Sequence, residues 1–121
     1  MTPEELAKRT KQFAVRIVRL TAALPTSREA DVLGRQVLRS GTSVGANYRE
    51  ARRARSKPDF LSKIGVCAQE ADETCYWLEL LAEAGIVKTT RLSNLLDEST
   101  QLVAIFTASG RTASGFRKAR S

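Results

Sequence analysis

Apolar residues recur along the chain at intervals of three and four, and the recurrence is broken by short stretches of Pro, Ser, Lys and Gly. That interval is the period of an α-helix with one buried face. In the first segment Phe13, Ile17, Leu20 and Leu24 share a face. Thr2-Pro3-Glu4-Glu5 opens it with a capping Thr, a Pro at the first helical position and a Glu three residues after the cap. Pro25 closes it, because the residue before a proline is pushed out of the helical region. A second helix is expected from Thr26, where Thr26-Ser27-Arg28-Glu29 repeats the capping-box pattern. Its inner stripe reads Leu33, Val37, Ser40, Val44, Asn47, Ala51 and Ala54. Gly41 and Gly45 lie inside that helix, where each costs about 1 kcal/mol against Ala. Close approach of a neighbouring helix is the expected reason for them.

Ser56-Lys57-Pro58-Asp59 then makes a turn and starts a third helix. Phe60, Ile64, Cys67, Ala71, Thr74, Leu78 and Leu81 form an unbroken four-three seam, the pattern of a bundle or coiled coil. Gly85 is a natural stop. A fourth helix is expected from Thr89 or Thr90, with Leu92, Leu95, Leu96, Ser99, Leu102, Val103 and Phe106 inward. From Thr107 the apolar pattern fades. Residues 107–121 are therefore expected to fray into a mobile basic tail after a bundle of residues 1–106. No strand pattern is present. Four helices with short connections predict an all-α, antiparallel up-down four-helix bundle.

The polar residues in the seam carry the next inference. A hairpin of helices two and three, folded about Lys57, sets Thr74 opposite Ser40, Glu70 opposite Val44 and Cys75 opposite Arg39. A partly buried network is expected, with Glu70 or Glu73 accepting from Arg39, Ser40, Ser43 or Asn47. A carboxylate there needs such partners, since an unpaired buried charge is strongly unfavourable.

Composition narrows the chemistry. At 121 residues, 42% of them hydrophobic, the chain makes one packed domain. It contains no His, so the Glu-x-x-His sites of metal-binding bundles and all Ser-His or Cys-His nucleophile pairs are excluded. Gly41-Thr42-Ser43-Val44-Gly45 lacks the Gly-Lys-Ser/Thr ending of a phosphate loop. Cys67 and Cys75 stand about 12 Å apart along one helix, too far for a disulfide, and are expected to be reduced. No catalytic residue, metal ligand or cofactor site is predicted. No apolar run spans a membrane and no secretion signal is evident, so a cytoplasmic location is expected.

The net charge of +7 changes the picture again. Arg49, Arg52, Arg53, Arg55 and Lys57 cluster at the end of helix two, and Arg111, Arg117, Lys118 and Arg120 lie in the tail. These are the candidate phosphate contacts for RNA or DNA. Glu70, Asp72, Glu73, Glu79 and Glu83 make the later part of helix three acidic, which polarises the molecule along its length. Tyr48, Tyr76 and Trp77 are candidates for base stacking or for a subunit interface. The alternative to nucleic-acid binding is a protein-interaction scaffold whose basic patch serves assembly.

Arg39-Ser40, Ser43-Val44-Gly45-Ala46-Asn47, Glu50-Ala51, Ser56, Asp59-Phe60, Lys63, Glu70, Glu73 and Trp77-Leu78 resemble the bacterial four-helix-bundle family labelled S23 ribosomal protein, or 23S rRNA intervening-sequence protein. The commoner family form of the helix-two motif is Ser-Ile-Pro-Ala-Asn-Ile-Ala-Glu-Gly. Here Val44, Gly45, Tyr48-Arg49 and Ala51 depart from it, while Asn47 and Glu50 keep their places. The likeness runs from about residue 5 to 106. It implies a non-enzymatic bundle that assembles into a ring, most often a homopentamer. The accessory protein of diversity-generating retroelements is similar, which implies nucleic acid as a partner and a reverse transcriptase as a protein client.

Overall fold

The computed structural model describes residues 1–113. Four helices follow in order: α1 (Pro3–Ala22), α2 (Arg28–Ala51), α3 (Lys57–Glu83) and α4 (Thr89–Ala113). Among the described residues there is no strand. Each start that the sequence marks with a capping side chain is built by one. Thr2 accepts from the Glu5 N–H while Glu5 accepts from the Thr2 N–H, a closed capping box. Ser56 accepts from the Asp59 N–H ahead of α3. Gly85 stops α3 with φ +74°, a backbone conformation that costs glycine nothing.

The helices run alternately up and down, and their cross-links give the register. Gly41 meets Ile17 and Gly45 meets Thr10 between α1 and α2. Thr74 bonds Ser40 between α2 and α3. Ser99 donates to the Ala71 carbonyl between α3 and α4. The core is filled by Phe13, Ile17, Val37, Val44, Ile64, Leu78, Leu81, Leu92, Leu102 and Phe106. Of the helix pairs that touch, α1 and α4 share the slightest contact. A bidentate ion pair spans that seam, with Arg9 Nε 2.6 Å from Glu98 Oε2 and Nη2 2.7 Å from Oε1.

Several expectations change. α2 starts at Arg28 and is capped by Ser27, which accepts from the Ala30 N–H; the cap is one residue later than Thr26. The buried stripe of α2 runs through Gly34, Gly41 and Tyr48 as well as Val37, Ser40, Val44 and Ala51, whereas Asn47 is only half-buried. α2 packs against both α1 and α3, so its inner face is wider than a single seam. The glycines and Tyr48 occupy its α1 side. Ala54 falls beyond the end of α2. α4 continues seven residues past Phe106 to Ala113, so residues 107–113 are helix and not a frayed tail. Arg111 lies in that last stretch, while Arg117, Lys118 and Arg120 lie outside the described residues.

Candidate nucleic-acid interface

α2 ends at Ala51, and the connection to the Ser56 cap is four residues long. That brings Arg49, Arg52, Arg53, Arg55 and Lys57 to one end of the bundle, all exposed. Part of this charge is already matched. Arg52 Nη2 lies 3.3 Å from Glu4 Oε1 on α1. Glu50, the one carboxylate within the cluster, accepts from Lys63 at 2.9 Å, and that bond raises the Lys63 pKa. Arg49, Arg53, Arg55 and Lys57 form no ion pair among the described residues.

A groove of about 670 Å³ runs beside this cluster between α1 and α2. Lys11, Arg49 and Arg53 stand along it, and Ala14, Gly45 and Ala46 keep it open. Tyr48 also borders it. The residue is 6% exposed and its ring packs 5.6 Å from that of Phe106, so it is a core residue and not a stacking platform. Burial pushes the Tyr48 phenol pKa up.

The polar seam of α2 and α3 meets the expectation through Arg39 and not through Ser40, Ser43 or Asn47. Arg39 is the hub. It lies 3.4 Å from Glu70 Oε1 and also binds Glu73, which accepts from the Trp77 indole N–H at 2.9 Å. Ser43 and Asn47 do not reach the carboxylates. Their side chains donate to carbonyls on their own helix, Ser43 to Arg39 at 2.6 Å and Asn47 to Ser43 at 2.8 Å. Ser40 bonds no carboxylate either. It donates to the Gln36 carbonyl at 2.9 Å and accepts from Thr74 at 2.9 Å, with both hydroxyls buried. Cys75 faces α4, 3.1 Å from Ser99 Oγ, and not Arg39. Cys67 lies in the core, where burial pushes its thiol up to about 12. It is a thiol at neutral pH and a poor nucleophile.

Sequence reasoning missed the Arg9–Glu98 pair, whose partners are 89 positions apart and follow no local pattern. The bond to Glu98 raises the Arg9 pKa. It also missed the cations of α1. Lys8, Lys11, Arg16 and Arg19 are all exposed, and in the sequence they are scattered singly through a helix read for its apolar face.

The class defined by this geometry is an up-down four-helix bundle with one strongly basic side. Residues 4–108 match the family described as the 23S rRNA-intervening sequence protein. The chain belongs to that family. It is also similar to a protein of unknown function from the S23 ribosomal protein family of Bacteroides thetaiotaomicron, known from a crystal structure. The two are 36% identical with a TM-score of 0.85, over 92% of this chain and 99% of that one. No curated protein matches the chain. No helix among the described residues is long and apolar enough to cross a membrane.

Proposed function

We propose that the protein is a non-enzymatic, self-assembling bundle that holds RNA or DNA by its phosphates. The observation that carries this reading is the cluster of exposed Arg49, Arg53, Arg55 and Lys57 without carboxylate partners among the described residues. Cations left unpaired on a rigid surface are available to replace the counterions of a polyanion, and the release of those counterions drives binding. The two seam carboxylates, Glu70 and Glu73, are both held by Arg39, which supports a structural and not a catalytic role for them. Assembly into a ring, with a pentamer as the expected size, follows from the family resemblance. Exposed Tyr76, edge-on to Trp77 at 5.0 Å, is an aromatic surface feature that favours contact between copies. Mass-resolved gel filtration with and without RNA tests both parts. The expected result is a discrete oligomer that shifts to higher mass with RNA at low salt. Charge reversal of Arg52, Arg53 and Arg55 should abolish that shift while leaving the oligomer intact. Dissolution of the oligomer by the same change would favour a protein-interaction scaffold with no nucleic-acid role.

A further inference from the structure

The basic end of α2 is the edge of a larger positive face. α1 buries Leu6, Thr10, Phe13 and Ile17. At 3.6 residues per turn, Lys8, Val15 and Arg19 then point directly outward, with Lys11 on the flank toward α2 and Arg16 on the flank toward α4. Among the described residues none of Lys8, Lys11, Arg16 and Arg19 has an ion pair. Of the carboxylates nearest to them, Glu4 on α1 is drawn to Arg52 and Glu50 beside the groove is drawn to Lys63. Asp72, Glu79 and Glu83 lie on the exposed side of α3, which packs on α2 and α4 and not on α1. The charge separation therefore runs across the bundle, from α1 to α3, in addition to the lengthwise one read from the sequence.

Resting on the nucleic-acid reading above, we propose that the α1 face, together with Arg49 and Arg53 of α2, is a seat for double-helical nucleic acid, gripped by its two backbones without reading of bases. Two features select a duplex over a single strand. First, the cations form two rows. One follows α1 from Lys8 to Arg19, about 16 Å at 1.5 Å per residue. The other is the pair Arg49 and Arg53 on α2, across the groove from the Lys8 end of that row, since Gly45 meets Thr10 and Arg52 reaches Glu4, at a helix spacing of about 8–10 Å. Two rows of cations can meet two rows of phosphates across a groove about 6–12 Å wide, whereas a single strand offers only one. Second, the face carries no stacking plane. Proteins that hold single strands use exposed aromatic rings. Here Tyr48, Phe13 and Phe106 are buried, and Tyr76 stands on the acidic side of α3. Val15 and Val18 are exposed on the α1 face and add apolar surface without a ring.

The test is fluorescence anisotropy with a short labelled duplex and with one of its strands, titrated with salt. The full chain is compared with a variant carrying Lys8→Gln, Lys11→Gln, Arg16→Gln and Arg19→Gln. These side chains are exposed and unpaired, so thermal melting should be unchanged. The wild type should bind duplex about tenfold or more tighter than single strand, with a log–log salt slope of about −5 for six phosphate contacts. The variant should lose about 100-fold in affinity and have a slope shallower by about 3–4. Wild-type binding that the variant keeps would overturn the α1 seat and leave the basic-end reading standing. Equal or tighter binding of the single strand would overturn the duplex assignment. No binding of either by the wild type at low salt would overturn the nucleic-acid reading itself. A change in the variant's oligomeric mass without nucleic acid would assign the face to contact between copies and overturn the proposal.

Discussion

Gly41 and Gly65 sit inside helices of the same bundle and meet opposite surroundings. A Cβ on Gly41 would come within 2.7 Å of Ile17 Cγ1 and 2.9 Å of Cγ2. Those atoms sit at the branch point of a side chain that is fully buried, so they have nowhere to retreat. A Cβ on Gly65 would meet nothing within 4 Å. The same substitution should therefore have opposite signs. Gly65→Ala should stabilise by about 1 kcal/mol, the helix-propensity difference alone. In Gly41→Ala that gain is outweighed by overpacking of about 1–3 kcal/mol, and a net loss of up to about 2 kcal/mol is expected. Urea denaturation of the two variants checks this. If both shift the midpoint in the same direction, the close approach of α1 to α2 is not what places a glycine at position 41.

Between elements, the contact of α2 with α3 turns on two hydroxyls. Thr74 has one proton to share between Ser40 Oγ at 2.9 Å and the Glu70 carbonyl at 2.7 Å, while Ser40 passes its own to the Gln36 carbonyl. Every buried polar side-chain atom among the described residues thus finds a partner. Thr74→Val keeps the shape and removes the interhelical bond, and Ser40→Ala removes its acceptor. A double-mutant cycle in chemical denaturation should give a coupling of about 0.5–1.5 kcal/mol. A coupling near zero would mean that each hydroxyl serves only its own helix. This pairing was legible in the sequence, because antiparallel register follows from the turn at Ser56–Pro58 and an unbroken seam. The helix starts and the α3 and α4 cores were legible for the same reason, as local caps and a strict period. Tyr48 was not legible. Positions three and four residues after Val44 are both candidates for the inner face, and only the presence of α1 on the far side of α2 decides for Tyr48 over Asn47. The Arg9–Glu98 pair depends on two helices that touch only after the whole bundle closes. The candidate basic site was half legible: a run of arginines stands out in the sequence, whereas the α1 row emerges only when the core face is known and the rest of the helix is seen to be solvent.

Across the whole molecule, distance and screening decide which charges act on a ligand. With neighbouring axes about 8–10 Å apart and helices about 10–12 Å across, the outer faces of α1 and α3 are separated by roughly 20 Å or more. The Debye length is about 10 Å at 0.1 M salt and about 30 Å at 0.01 M. Carboxylates on the α3 face are thus hidden from a polyanion seated on α1 at the higher salt and felt by it at the lower. Neutralising Asp72, Glu79 and Glu83 as Asn, Gln and Gln should change duplex affinity by less than about threefold at 0.1 M salt and tighten it severalfold at 0.01 M. The α1 neutralisation, by contrast, removes direct contacts and should weaken binding at both. Anisotropy titrations of the two variants at the two salt concentrations separate the cases. A large effect of the α3 changes at 0.1 M would mean that the ligand touches α3 as well. The polarity across the bundle would then mark a contact wrapping around the molecule, and not a one-sided seat with its acidic face turned away.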